Sequence, residues 1–167
     1  MKTAMKNQTT FVKDLPAKEI KVTRVFNSTL ENVWRSWTDR ELLDQWWAPH
    51  PWKTKTKSMN FTEGGTWLYA MVGPENAIHW SRADFMKIKN LSYYIGKDCF
   101  CDEHGIMNPA LPSNEWKVSF FQVDGGTRVE VDMTFTSEAD FQQIIDMGFQ
   151  ERFASAHGNL DELLLKM

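Results

Sequence analysis

The densest run of reactive side chains is Cys99-Phe100-Cys101-Asp102-Glu103-His104. Thiolate, carboxylate and imidazole are the donors that zinc takes, but a structural zinc site needs two spaced pairs held in tetrahedral geometry. A strand end followed by a loop fixes no such geometry, and the usual spacing is missing, so no metal is assigned. Cysteine as a nucleophile needs a base within hydrogen-bond reach. Nothing in the chain sets a histidine beside Cys99 or Cys101. Nor do the two bridge each other, because residues i and i+2 of a strand point the same way but sit too far apart. They read as two buried or half-buried thiols. Gly-rich phosphate loops, H-E-x-x-H and paired C-x-x-C motifs are missing as well. No catalytic residue and no cofactor is therefore expected.

The remaining polar candidates are scattered. His50, His79, His104 and His157 share no spacing. His157 falls near the apolar stripe of the last helix, where it is either a polar handle that orients a ligand or a hydrogen-bonded core histidine. Arg82 and Asp84 share one strand face, as a polar pair inside a cup or as part of a solvated surface. Tyr69 needs a hydrogen-bond partner if buried, and a ligand is one source.

Aromatics are the stronger signal. Five of eight tryptophans, Trp34, Trp37, Trp46, Trp47 and Trp52, fall within nineteen residues. An ordinary core, a partner surface and a pocket wall each use such residues. Trp34 and Trp37 lie on a helical stripe and read as core. Trp46 and Trp47 are adjacent, so one is expected in the core and the other at a cavity mouth or the surface. Trp52 follows Pro49 and Pro51 and reads as a mobile rim.

The elements that must position these residues follow from local patterning. Residues 19–27 are rich in β-branched types and predict a strand. Ser28-Thr29-Leu30-Glu31 reads as a capping box with Ser28 as N-cap. Leu30, Val33, Trp34 and Trp37 then give one apolar stripe. Thr38-Asp39-Arg40-Glu41 reads as a second capping box, with Trp37 and Leu42 as its staple, and the two prolines stop that helix. Strands are predicted at 54–61, 65–72, 78–88, 91–100, 115–123 and 126–135. The Asp124-Gly125 turn sets Val123 opposite Gly126. Phe120 then faces Val129, Val118 faces Val131 and Trp116 faces Met133, with Lys117 opposite Asp132 and Ser119 opposite Glu130. One face is apolar and the other carries opposed charges, as a half-buried sheet requires. Both faces of 78–88 and 91–100 are mixed, and their inward side stays open. Residues 102–114 are long for a connection and read as a lid or flexible rim. Ser137 caps a final helical region that Gly148 divides.

At 167 residues, one domain is expected: a flexible leader over 1–18 and a single domain over 19–167. The net charge is −3, and no Lys/Arg run appears, against the basic face that nucleic-acid binding uses. No apolar signal segment opens the chain, and no apolar run approaches the ~20 residues of a membrane span. A cytoplasmic location is expected.

The element order, with "TRVFNSTLENVWRSWTDRELLDQWWAP" (23–49), "GGTWLYAM" (64–71), "GGTRVEVDMTF" (125–135) and "MGFQERFASAHGNLDELL" (147–164), resembles the family named for the activator of the heat-shock-protein ATPase. This AHSA-like family lies within the START-like, birch-pollen-allergen-like (SRPBCC) superfamily. The resemblance covers about residues 20–165. It implies an α+β helix-grip fold, a curved antiparallel sheet of about seven strands wrapped around a long C-terminal helix. It also implies a cavity between the two for an apolar or aromatic small molecule. Other members are cyclases or cochaperones, so an enzyme of cyclase or hydratase type and a chaperone-binding module are the alternatives. The pocket wall implied here is Trp47, Trp67, Tyr69, Met71, Trp116, Val118, Phe120, Val131, Met133, Phe149, Phe153 and His157. Large aromatics either close around a flat ligand or fill the space themselves.

Overall fold

The computed structural model describes residues 8–167. Eight strands form one antiparallel sheet: β1 (Thr10–Asp14), β2 (Glu19–Phe26), β3 (Lys53–Met59), β4 (Thr66–Val72), β5 (Ile78–Lys89), β6 (Tyr93–Cys101), β7 (Ser113–Val123) and β8 (Gly126–Phe135). Their spatial order is β1-β2-β8-β7-β6-β5-β4-β3. Helices α1 (Leu30–Thr38) and α2 (Arg40–Trp46) follow β2, and α3 (Glu138–Asp146) and α4 (Phe149–Leu164) end the chain. The sheet curves around α4, which is the helix-grip arrangement.

The β7–β8 hairpin has the expected register throughout, from Val123 opposite Gly126 to Trp116 opposite Met133. Val118, Phe120, Val129, Val131 and Met133 are all buried on its concave side. One more strand is present than the seven expected. It is β1, which lies in the stretch read as a leader and pairs with β2 from Thr10↔Thr23 to Asp14↔Glu19. Its outer residues are exposed, so it carries little apolar alternation. Phe11 nonetheless meets Phe149 edge-on at 6.1 Å. The rest of the proposed leader, residues 1–7, lies outside the described residues.

The starts of α1 and α2 are each displaced by one residue. Thr29, not Ser28, caps α1 by accepting from Asn32 N–H. Asp39, not Thr38, caps α2 by accepting from Glu41 and Leu42. Thr38 instead donates its hydroxyl to the Trp34 carbonyl at 2.8 Å, closing α1 rather than opening α2. The expected Ser137 cap is present, its hydroxyl accepting from Asp140 N–H. Gly148 sits between α3 and α4 at φ 82°, a conformation glycine adopts at no steric cost.

The inward face of β5 and β6 is now assigned. Ser81, Ala83 and Phe85 share the concave side with Trp67 and Tyr69, their pairing partners or neighbours in register. On β6 that side carries Tyr94, Gly96, Asp98 and Phe100. The mixed pattern has a physical cause: the β5–β6 register shifts between Phe85 and Lys87. A bulge breaks the period of two there, and Ile88 also packs against the core.

Residues 102–112 differ from the expected lid. They fold back tightly, with Asp102 Oδ1 accepting from His104 N–H (2.8 Å) and Ile106 N–H (2.9 Å). Arg82, on the convex face, donates to the Gly105 carbonyl, and Lys57 donates to the Glu103 carbonyl at 2.8 Å. The segment therefore lies against the convex face, away from the side that holds α4.

Candidate functional site

The site is built from cross-strand rows on the concave face. One row runs Trp67–Ala83–Asp98–Asn114–Phe135 across five strands. The next toward the sheet interior runs Phe85–Gly96–Trp116–Met133. On the other side lie Tyr69, Ser81 and Phe100. Small residues thus occupy the middle, Ala83 and Gly96, with large rings on both flanks. Strands are about 4.8 Å apart, so Trp67 on β4 and Trp116 on β7 stand roughly 14 Å from each other along the sheet.

The two rings lean toward each other, and Trp47 lies between them. Its ring centroid is 5.5 Å from Trp67 and 5.9 Å from Trp116. The indole N–H donates to the Tyr69 hydroxyl at 3.0 Å. Behind it, Phe153 lies 6.0 Å from Trp47 and 5.5 Å from Trp116, and Phe149 stacks on Phe153 at 5.2 Å. Trp47 reaches this position because α2 ends at Trp46. Trp46 turns the other way and donates to the Ser36 carbonyl at 2.8 Å. Both are buried, so of the two places expected for the second ring, a cavity mouth or the surface, the surface is excluded.

The polar groups on the same face of the sheet as these rings were not visible from the sequence. Asp98 is half-buried and closely surrounded by protein. Burial, reinforced by the Asp84 carboxylate, pushes its carboxyl up to about 7. Among the described residues, no side chain hydrogen-bonds it and no cation pairs with it. Directly opposite on β7, Asn114 Oδ1 is buried without a hydrogen-bond partner, as is the indole N–H of Trp116. Tyr69 is raised well above the ordinary phenol range, first by burial and then by Asp98, so it stays a neutral hydroxyl. The signal that could have found Asp98 was parity with Tyr94, and the bulge in β5 hid it.

The expected pocket wall divides in two. Trp47, Trp67, Tyr69, Trp116, Phe149 and Phe153 come together in one aromatic cluster, with half-buried Met71 two residues beyond Tyr69 on β4. Phe120 belongs to a deeper cluster: its ring lies 4.9 Å from Trp34 and 6.3 Å from Tyr94. Val118, Val131 and Met133 are sealed in the core.

His157 is buried among Phe26, Trp37, Trp46 and Phe153. Its Nδ1 hydrogen-bonds the Thr9 hydroxyl at 2.9 Å. Arg24 donates to the same hydroxyl at 2.7 Å and pairs with Asp161. Burial first, then the Arg24 guanidinium, pulls the imidazole down to about 3, so it is neutral. It joins α4 to β2.

The remaining candidates lie outside this cluster. Arg82 and Asp84 pair at 3.1 Å on the convex face, and Cys99 and Cys101 share that face. Trp52 is a docked rim rather than a mobile one. It stacks on His79 at 5.3 Å and lies against Gly73, where a Cβ would come within 2.6 Å of its ring. Two hollows open on other parts of the surface. One, about 270 Å³, is lined by Thr38–Glu41 with Met59 and Phe61, and the other, about 250 Å³, by Pro49–Trp52 with Glu151, Arg152 and Ser155. Both are open to solvent and bordered by charge, so neither offers the enclosure that apolar ligands use. Among the described residues, no helix is long and apolar enough to cross a membrane.

Residues 27–165 match the family described as activator of Hsp90 ATPase homolog 1-like protein. No curated protein matches the chain. Several solved structures are similar to it over nearly all of their length. Protein Ms6760 from Mycobacterium smegmatis is 27% identical, with a TM-score of 0.86 over 93% of this chain and 96% of that one. A protein from Arthrobacter aurescens is 28% identical, with a TM-score of 0.88 over 95% and 92%. One from Staphylococcus epidermidis is 29% identical, with a TM-score of 0.82 over 94% of both chains.

Proposed function

The chain belongs to the activator of Hsp90 ATPase homolog 1-like family, and from that premise we propose that it binds a small ring-containing molecule in the depression between β4–β7 and α4. The observation that carries this reading is the reach of Trp47 from Trp67 to Trp116 above Ala83 and Gly96. Aromatic walls over a small-residue floor suit a flat apolar skeleton, and a few polar groups among them fix its orientation. The partner is thus a small molecule, held by apolar contact and by Tyr69, Asp98 and Asn114.

Titration with a hydrophobic fluorescent probe tests it. Trp67→Leu is expected to weaken probe binding at least ~5-fold, a loss of about 1 kcal/mol. Lys117→Ala and Glu130→Ala, on the opposite face, are expected to leave it within about 2-fold. Failure of the folded protein to bind any such probe, or equal effects on the two faces, refutes the reading.

Asp98 favours a second reading, an enzyme of cyclase or hydratase type on the same fold. A carboxyl held near neutrality both gives and takes protons at physiological pH. On that reading Asp98→Asn abolishes turnover yet keeps binding, whereas on the first reading no turnover accompanies binding at all.

A further inference from the structure

We propose that the molecule taken by this depression is an organic cation, a ring-bearing amine whose protonated nitrogen sits on Asp98. This rests on the binding reading above and deepens it. Nearly every group facing the depression accepts hydrogen bonds or attracts positive charge. The Asp98 carboxylate has no partner among the described residues. Asn114 Oδ1, opposite it in register, is buried and unpaired. The Tyr69 oxygen already receives the Trp47 indole N–H, and the faces of tryptophan rings attract cations.

Positive side chains are directed elsewhere. Lys97 and Arg82 occupy the convex side of β6 and β5, and Arg82 is committed to Asp84 and the Gly105 carbonyl. On the concave side of β5, His79 is exposed and stacked on Trp52. From the helix side, Arg152 is exposed beside Pro49 and Trp52.

A carboxylate partly withdrawn from water gains from a paired cation. The chain supplies no pair, and an anionic ligand would worsen the deficit. An ammonium group meets both needs. It donates to Asp98 and to Asn114 Oδ1, while its skeleton lies among Trp47, Trp67 and Trp116. Asp98 is half-buried rather than sealed, so its carboxyl is approachable. The buried, unpaired Trp116 N–H and the Tyr69 O–H suit an acceptor such as a hydroxyl on the same molecule.

Calorimetric titration with three probes that differ in charge tests this. They are 1-naphthylmethylamine, protonated at about pH 8, 1-naphthalenemethanol, neutral, and 1-naphthaleneacetate, an anion. The wild-type protein is expected to bind the ammonium ~10-fold more tightly than the alcohol, and the acetate most weakly. Asp98→Asn should abolish that preference while holding the alcohol within about 3-fold. Asp98→Ser repeats the measurement if the amide variant folds poorly. Lys97→Gln changes charge on the same strand but the other face, and should leave the preference intact.

Each other outcome is decisive. Alcohol binding without an ammonium preference, or a preference that survives loss of the carboxylate, overturns the cation and leaves the pocket. Equal losses in the Lys97 variant overturn it too, since the effect is then a general field. No binding of any probe overturns the pocket, and the cation with it.

Discussion

At the scale of single residues, two buried titratable groups pull stability in opposite directions. Burial raises Asp98 to about 7 from 3.8. Between those values the unfolded chain has already released its proton while the folded chain holds it. Stability is therefore lost as pH rises through that window and stays low above it. Asp98→Asn is expected to stabilise the fold by up to about 4 kcal/mol at pH near 8, and by little near pH 4. Urea melts at both pH values check this, and an equal gain at each would mean that the carboxyl is not the cause. A group that costs stability and is kept at the centre of an aromatic depression has the signature of a functional residue. His157 acts the other way. Its folded value is about 3 against 6.5, so the unfolded chain binds the extra proton as pH falls below 6.5, and stability declines until about pH 3. His157→Gln should flatten the acid side of the stability–pH curve by a few kcal/mol, whatever it costs at neutrality. An unchanged acid slope would assign the acid loss to the carboxylates instead. His157 stood out in the sequence by its place on an apolar helix stripe. Asp98 did not, because nothing about an aspartate in a mixed strand declares which face it takes.

At the scale of elements, legibility depended on how strictly each obeys one period. The β7–β8 hairpin alternates without a break and carries a turn of defined length, so its whole register could be counted from Asp124-Gly125. β5 contains a bulge, and one extra residue inverts every side chain beyond it. The caps were displaced because Ser28 and Thr29, like Thr38 and Asp39, are adjacent residues that both accept N–H bonds well. The Asp102–Pro112 segment looked like a lid by its length alone. Its backbone is instead bonded to its own Asp102 and to two convex-face cations. Amides of His104 and Ile106 are accordingly expected to exchange slowly in the free protein, and Asp102→Ala should speed them without affecting α4. Fast exchange in the wild-type protein would restore the lid. The tryptophan run divides between elements as well. Trp34 packs edge-on against Phe61, Tyr94 and Phe120. Trp34→Ala should cost ~3–5 kcal/mol, as for other buried aromatics. Trp52→Ala, at a half-buried loop position, should cost well under half of that. Urea melts of the pair decide it, and equal losses would make the loop part of the core.

For the whole molecule, the aromatic interior is continuous, yet its two ends have different neighbours. At the α1 end, Trp34, Phe61, Phe85, Tyr94 and Phe120 interlock edge to face, and none of their polar atoms is both fully buried and unpaired. At the α4 end, Trp47, Trp67 and Trp116 surround Asp98, Asn114 and an unpaired indole N–H. At the first end the rings fill the interior, which is the alternative of a side-chain-filled space. At the second, the fold tolerates polar groups that an ordinary core excludes. Stability and binding should therefore separate along the sheet. Phe120→Leu is expected to lower stability by about 1–3 kcal/mol through a cavity and to leave apolar probe affinity within about 2-fold. Trp67→Leu should weaken the probe at least ~5-fold beyond a comparable loss of stability, since its buried ring also stacks on Tyr69 at 4.0 Å. Paired urea melts and probe titrations on the two variants measure both quantities. If the two substitutions shift stability and affinity in the same proportion, the interior is one core, and the depression beside Asp98 is a packing defect rather than a site.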